Sequence, residues 1–484
     1  MTYIINSSIL TGKFPSKWKL AKVIPLYKKG EKSSLKNYRP VSLLAVAGMI
    51  LEKVVAMQIE KYFEDNHLFG NFQFGFRKNK STVSELLTLF DSIMEAKEAK
   101  KEILVLLYDL SSAFDTVSHE VLLTKMEIYG FNKHALKWLK SYLEERKQCV
   151  TISGKISSAL EMKTGTPQGS RMSPLLFIIL MADMDLWIDN SKLSNFADDT
   201  QSLIISDNVE EAIEITTKEA NKVINFFGSN NLVNNPEKAA VLYNSKGISG
   251  NILIKNIGSE QIISTDHEKL LGLHLNSDFE WNTHVDKISI ELKKRIGLLR
   301  RIKNRVPQNK LVIIANAIFN SIIRYGIAVY LKPVFDEEDV KEKKLSKNAK
   351  NLQTLQNLML RVIFGFSKTQ HINMQKLREK IKLMSVNQMC TYHTILEAHN
   401  ITVNSSSEQI KLKWSHQHEV KYFFRSEARN DQKVPEKPTS KCTGFSYYGA
   451  KLYNKIPCDI RKTPNSVQFK ALVKEWIWKN IPSF

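Results

Sequence analysis

Cysteine is scarce in this chain: four in 484 residues, Cys149, Cys390, Cys442 and Cys458. None forms a CxxC and no Cys/His pair stands at zinc spacing, which argues against a zinc finger or knuckle. Four distant thiols in so long a chain do not make a secreted disulfide framework either, and a reducing compartment fits better. The start, MTYIINSSIL, lacks a basic stretch before an apolar run, so it does not read as a signal peptide. The most apolar stretch, Leu311 to Leu331, contains Asn316, Asn320, Ser321 and Arg324 and reads as a buried helix, not a membrane span. There is no internal repeat. Acidic residues are also in deficit, with 49 Asp and Glu against 70 Lys and Arg, a net charge of +21. An excess of that size draws polyanions to the surface. Nucleic acid is therefore the leading partner class, with a protein that is merely basic as the plain alternative. At roughly 150 residues per domain the length suggests about three domains.

Residues 15–46 mix short apolar runs with basic turns, and Pro25 and Pro40 limit helix there. The spacing then predicts a helix with Leu51, Val54, Val55, Ile59, Tyr62 and Phe63 on one face, ended by Asn66 and Gly70. EILVLLYDL (102–110) is a continuous apolar run, read as a buried strand ending at Asp109. Helical pattern resumes after Asp115 and continues through KHALKWLKSYL; QCVTISG and the run after it read as a hairpin. PQGSRMSPLLFIILMADM opens as a glycine-containing turn and becomes an apolar helix. FADDTQSLII reads as strand, acidic turn, strand. The next helix runs from about Asp207 to Phe227, with Asp207 and Glu210 as a capping box. From about 285 to 303 a helix turns Ile288, Leu292, Ile296, Leu299 and Ile302 inward. Lys293, Lys294, Arg295, Arg300, Arg301 and Lys303 crowd the rest of it, either as a solvated face or along a phosphate backbone. Residues 334–350 are charged and aperiodic and read as a linker or exposed loop. The remainder, 351–484, is helical in pattern.

Three carboxylates carry the chemistry: Asp109 at the end of a buried strand, and Asp198 and Asp199 at the tip of a hairpin. If those strands are neighbours in one sheet, the acids converge at its edge. Convergent carboxylates repel unless a cation neutralises them, and hard divalent ions such as Mg²⁺ take oxygen ligands and bring phosphates with them. Two such ions about 3.5 to 4 Å apart can serve an in-line phosphoryl displacement. An Asp-Asp pair in a turn is by itself usually turn chemistry; the combination and its order make the case.

YDLSSAFDTVSHEVLL (108–123) resembles motif A of the reverse transcriptases of non-LTR (LINE-type) retrotransposons. GTPQGSRMSPLLFIIL (165–180) resembles their motif B, FADDT (196–200) motif C, NNLVNNPEKAAVLYN (230–244) motif D, and KLLGLHLNSDFEWNTHV (269–285) motif E and the entry to the thumb. AKVIPLYKKGEKSSLKNYRPVSLL and FQFGFRKNKST are similar to the fingers motifs. FSYYGAKLYNKIPCDIRKTPNSVQFKALVKEWI is similar to the C-terminal segment of jockey-like elements. The resemblance implies an RNA-directed DNA polymerase, a nucleotidyltransferase that extends a DNA primer on an RNA template. It implies an α+β right hand: fingers and an antiparallel palm sheet over 1–265, a thumb over 266–340, and a mainly helical C-terminal segment, 341–484, of unassigned role with nucleic-acid binding as one option. RNA template, DNA primer and dNTPs are the implied partners, with a separate endonuclease domain or protein, because no apurinic-type endonuclease precedes the motifs. No membrane partner is expected, and family behaviour implies an intracellular, nuclear location. A motif begins almost at once, so a piece of a longer polyprotein is expected.

Residue roles follow from the same resemblance. Asp109, Asp198 and Asp199 would hold two Mg²⁺ ions (Mn²⁺ substituting), with the backbone carbonyl of Leu110 as a further ligand and Asp199 as the weaker one. Phe114, five residues after Asp109, would be the steric gate that presses on C2′ and rejects a 2′-hydroxyl; a core Phe is the alternative. Gln168 and Gly169 form the motif B turn, the glycine admitting backbone close to the nascent base pair. Arg39, with Lys28 or Lys29, would bind the triphosphate, Arg through its bidentate fork. Lys238 in PEK would protonate the departing pyrophosphate, or be a solvated loop lysine. Leu271 and Gly272 would position the primer end. Thr166 and Arg171 stand where relatives usually have apolar residues, Ser173 where they have Gly, and Phe196 where many have Tyr. These departures touch processivity or fidelity and remove no metal ligand. A silent nucleic-acid-binding remnant, an RNA-dependent RNA polymerase (against which Phe114 stands) and a group II intron maturase are the other readings.

Overall fold

The computed structural model describes residues 1–235, 238–246, 248–249, 252–257, 260–335, 345–367, 369–416, 444–463 and 465–483. Helix α1 (Thr2–Thr11) ends at Gly12 with φ 66. Strands β1 (Leu20–Tyr27) and β2 (Tyr38–Leu43) form an antiparallel hairpin in which Pro25 faces Pro40, so both missing donors fall on one rung. Helix α2 (Val46–Asp65) buries Leu51, Ala56, Ile59 and Phe63. Tyr62, expected on the same face, is exposed, and its hydroxyl donates to the Tyr129 carbonyl. Helix α3 (Thr82–Glu98) opens with a capping box between Ser81 and Ser84.

Next come β3 (Glu102–Tyr108), the short β4 (Leu110–Ser111), α4 (His119–Ile128) and α5 (Lys133–Leu143). Strand β5 (Lys147–Ile152) pairs in parallel with β1 and turns back onto β6 (Lys155–Ile156) and β7 (Leu160–Glu161). The apolar α6 (Ser173–Leu180) leads to β8 (Lys192–Phe196), β9 (Asp199–Ser206), α7 (Val209–Ser229), β10 (Val233–Asn234), β11 (Ala240–Ser245) and β12 (Ile248–Ser249). The expected capping box of α7 is absent. Asn208 is the cap, its side chain accepting from Glu211 N at 2.8 Å, while Asp207 pairs with Lys101. The amide side chain one residue further on caps the helix instead, taking the N–H three residues after itself.

The central sheet runs β12-β11-β3-β9-β8 and every pairing is antiparallel. Its strand β3 is apolar at almost every position because both faces are covered. Leu104, Leu106 and Tyr108 join a core with α6 and α7, while Ile103 and Val105 join a second core with α3. Each fully buried Leu, Ile or Val side chain is worth about 1.5–3 kcal/mol, so the strand that ends at Asp109 is anchored from both sides.

Hairpins β13 (Leu253–Ile257) with β14 (Glu260–Ile263) and β15 (His267–Leu270) with β16 (Leu273–Asn276) precede α8 (Asn282–Ile302). Helix α8 buries His284, Val285, Leu292, Ile296 and Leu299 and exposes Lys293, Lys294, Arg300 and Arg301. The stretch expected as one buried helix is broken. It comprises α9 (Gln308–Ala315), a π-helical turn (Asn316–Asn320), α10 (Ser321–Arg324) and, after Gly326 at φ 67, α11 (Ile327–Tyr330). Tyr325 causes the break: its hydroxyl donates to Leu271 O at 2.5 Å, and its backbone is extended to reach it.

The expected linker 334–350 is ordered at both ends. Val334 and Phe335 are buried, Val334 N donates to Asn387 Oδ1, and a helix starts at Lys347; residues 336–344 lie outside the described residues. Helices Lys347–Phe364, Met374–Lys380, Val386–Asn404, Glu408–His416, Phe445–Asn454, Cys458–Arg461 and Ser466–Asn480 follow, so the described part of 351–484 is helical as its pattern predicted, while residues 417–443 lie outside the described residues. The first and third of these extend the core that begins with α3 and α8. Cys149, Cys390 and Cys458 are free thiols, and Cys442 lies outside the described residues. No described helix is long and apolar enough to cross a membrane. The α+β class, the antiparallel sheet and the helical C-terminal part are as expected.

Candidate active site

Register brings the three aspartates to one end of the sheet. Tyr108 of β3 faces Thr200 of β9, so Asp109, one residue on, meets the end where Asp199 begins β9. Phe196 faces Asp199 across the turn of the β8–β9 hairpin, and Ala197 adopts φ 61 to close it. On the other flank β4 pairs with β10, and Asn235 N donates to Asp109 O at 2.9 Å. Leu110, whose carbonyl was expected as a ligand, sits in β4 with its side chain buried.

The acids act on one another. Burial raises Asp198 above the usual carboxylate range and the Asp109 charge adds to it, while Arg39 and Lys28 pull it down. Asp199 is pushed up to about 6, first by burial, then by Asp198 and Asp109, with Lys28 opposing. Lys238 Nζ forms an ion pair with Asp109 Oδ2 at 2.9 Å. Among the described residues no three His, Cys, Asp or Glu side chains close on a single point. The aspartates as they stand are coupled through space rather than gathered around one ion. The donor set nonetheless fits hard divalent cations, which the motif resemblance implies. It is all oxygen, neighbouring carboxylates and burial disfavour the charge of Asp198 and Asp199, and an ammonium already sits on Asp109.

The cations that face the acids come from the β1–β2 hairpin. Arg39 lies opposite Leu26 in that ladder, and Lys28 follows β1 with its N–H on Asn37 O at 2.8 Å. Of the two candidate lysines it is Lys28 whose charge reaches Asp198 and Asp199; Lys29 is exposed nearby and is not among the groups that act on them.

Phe114 is half-buried, its ring 5.0 Å from Phe177 and edge-on to the exposed Phe76 at 6.5 Å. Its loop is locked to the motif B turn. Thr166 N donates to Phe114 O at 2.9 Å, Gly165 N to Val117 O at 2.8 Å, and Gln168 Nε2 to both Asp115 oxygens at 3.1 Å. The Asp115 carboxyl is raised by burial and held down by that amide. Gln168 O accepts from Ser42 N at 2.7 Å, and Gly169 has φ 123. A Cβ on Gly169 would lie 2.8 Å from Ser42 O, so within the chain the neighbour that needs this glycine is strand β2. Thr166 and Ser173 are fully buried and bonded locally, Ser173 Oγ to Pro167 O at 2.8 Å, which accounts for two of the departures. Arg171 N donates to the buried Glu52 carboxylate, which also takes Ser170 Oγ at 2.9 Å. Leu271 (φ 45) and Gly272 (φ 87) form the turn between β15 and β16, under Tyr325.

Residue-by-residue reading missed the supports of the site. Gln73 is fully buried and its Oε1 accepts from Ala197 N at 3.1 Å. Glu85 of α3 is buried under the hairpin, taking hydrogen bonds from Ser194 Oγ at 3.0 Å and from Gln201 Nε2. Burial pushes its carboxyl up to about 8, those two bonds opposing and Asp199 adding. Gln73 lies in FQFGFRKNKST, a segment singled out as a motif without a role for this side chain.

Residues 27–275 match the family described as "Reverse transcriptase (RNA-dependent DNA polymerase)". The chain is 27% identical over 344 residues to the RNA-directed DNA polymerase from mobile element jockey of Drosophila melanogaster, covering 68% of this chain and 37% of that protein. It is 27% identical over 323 residues to the probable RNA-directed DNA polymerase from transposon BS of the same fly, covering 63% and 34%. The chain thus spans little more than a third of the length of these relatives. Among solved structures, a Candida albicans telomerase in complex with a telomeric RNA fragment is similar over 86% of this chain and 68% of that one, with 12% identity and a TM-score of 0.43. By the match across its motifs, and with polymerases of jockey-like mobile elements as its relatives, the chain belongs to the reverse transcriptase (RNA-dependent DNA polymerase) family, among those of non-LTR retrotransposons.

Proposed function

We propose that this chain extends a DNA primer on an RNA template by transferring nucleotides from dNTPs. One observation carries the reading: three aspartates share the end of one sheet, where burial and the neighbouring carboxylates hold Asp198 and Asp199 above the usual carboxylate range, and the cations Arg39 and Lys28 act on them. Asp109, Asp198 and Asp199, with the Leu110 carbonyl, would hold the divalent metal, Mg²⁺ with Mn²⁺ able to substitute. The metal supplies charge neutralisation and Lewis acidity at the reacting phosphate. Arg39 and Lys28 bind the triphosphate, with Lys29 behind them as a less committed charge. Phe114, braced on Phe177, excludes a 2′-hydroxyl by contact with the sugar. Gln168, oriented by Asp115, presents the motif B turn to the incoming nucleotide. Lys238 Nζ is in reach of the site through Asp109 and donates a proton to the departing pyrophosphate. In this reading residues 1–265 are fingers and palm, 266–340 the thumb, and 341–484 a C-terminal segment of unassigned role with nucleic-acid binding as one option. An endonuclease acts from a separate domain or protein, and the work is done inside the cell, in the nucleus.

The test is primer extension with a DNA primer on an RNA template, dNTPs and Mg²⁺. Wild-type chain is expected to extend, and the Asp198→Asn, Asp199→Asn double variant to lose at least about 10²–10³-fold of the rate, the order seen when transition-state charge stabilisation is removed. A folded wild-type chain that binds the duplex and adds no nucleotide would sink the reading.

A further inference from the structure

The acidic turn is held in place from outside its own hairpin. Within the hairpin two effects loosen the turn. Ala197 sits at φ 61, a region that L residues adopt at a cost, and Asp198 and Asp199 come directly after it, repelling each other and Asp109. The restraint comes from residues 72–75, more than a hundred positions earlier in the sequence. Asn195 N donates to Phe72 O and Phe74 N donates to Asn195 O, both at 2.8 Å, so this segment runs beside β8 as an added rung. Gln73, between those two contacts, is fully buried. Its Oε1 accepts from two backbone donors, Ala197 N at 3.1 Å and Gly75 N at 2.8 Å. Two N–H partners fix the orientation of the amide, because the flipped form would aim NH₂ at both. Gly75 completes the contact: a Cβ there would lie 2.3 Å from Ala197 N, so backbone rests directly on backbone.

We propose, resting on the polymerase reading, that Gln73 is a positioning residue for that site: its side-chain carbonyl holds the Ala197 N–H and thereby sets the direction in which Asp198 and Asp199 leave the hairpin. It touches neither substrate nor metal. A buried glutamine that served folding alone would affect stability and nucleic-acid binding together with activity. A positioning glutamine affects metal binding and turnover and leaves duplex binding intact.

The test uses the full chain with Gln73→Met, which keeps the unbranched shape and removes the acceptor, and Gln73→Glu, which keeps the acceptor oxygens. Primer extension gives kcat, fluorescence anisotropy gives the Kd for the primer–template duplex, and the free Mn²⁺ EPR signal gives metal binding without turnover. For Gln73→Met, kcat is expected to fall on the order of 10- to 100-fold, as small misplacements of reacting groups do. Mn²⁺ binding weakens and the duplex Kd does not change, while Gln73→Glu recovers most of kcat and of Mn²⁺ affinity. Wild-type kcat and Mn²⁺ affinity in Gln73→Met would overturn the positioning role and leave the polymerase reading standing. Parallel loss of duplex binding, thermal stability and kcat would overturn it too, in favour of a role in folding. A wild-type chain that fails to extend while binding the duplex removes the polymerase reading, and this proposal with it.

Discussion

Glu85 keeps a proton at neutral pH that carboxyls usually give up. In the unfolded chain it titrates near 4.5; folded, burial moves it to about 8. The folded state therefore holds more protons between those values, so the stabilisation is fully present below about pH 4.5 and is lost as pH rises through 8. Glu85→Gln keeps the acceptor for Ser194 and Gln201 without the titration. The variant should melt at a higher temperature than wild type at pH 8, with the gap closing towards about pH 5; parallel melting curves across that range would show that Glu85 is not the acid responsible. Neither Glu85 nor Gln73 could be read from sequence. Their importance lies in partners 109 to 124 positions away, and a buried Gln or Glu has no local signature. Asp109, Asp198 and Asp199 were legible because each closes a strand or turn whose apolar pattern is local.

The β1–β2 hairpin seats its cations through a backbone contact at Gly169. Gly169→Ala would drive a Cβ to 2.8 Å from Ser42 O at φ 123, a strain of roughly 1–3 kcal/mol. Strand β2 should give way, carrying Arg39 and Lys28 with it. The expected outcome is a raised KM for dNTP with loss of stability of that order in urea unfolding. An unchanged KM would mean that the hairpin is not seated by this contact. Elements whose burial is symmetrical or strongly periodic, β3, α6 and α8, were readable. Elements ended by tertiary contacts were not. Nothing in the apolar run 311–331 announces that the Tyr325 hydroxyl will reach Leu271 O and open the helix there, and nothing local separates Asp207 from Asn208 as the cap of α7.

Across the whole molecule the charge of +21 would make the proposed nucleic-acid affinity salt-dependent, each phosphate neutralised on single or double strands lowering the log–log slope by about 0.7 to 0.9. Helix α8 presents Lys293, Arg300 and Arg301 to solvent. Changing all three to Gln should reduce the slope of duplex affinity against salt by about 2 to 3 if the helix lies along a backbone; an unaltered slope would make that face merely solvated. The far end of the chain closes onto helix α3. Asp91 accepts from Ser446 N at 2.7 Å across 355 positions, and Lys413 bridges Asp91 and Glu95. On the ribosome, at about 5–20 residues per second, α3 would wait roughly 20 to 70 s after its own synthesis before the helices that cover it emerge. Over that interval the face of α3 that carries Leu87 and Asp91, turned away from the sheet, is open to water and to other nascent chains, so how fast the tail is delivered bears directly on how much folded protein is recovered from each message.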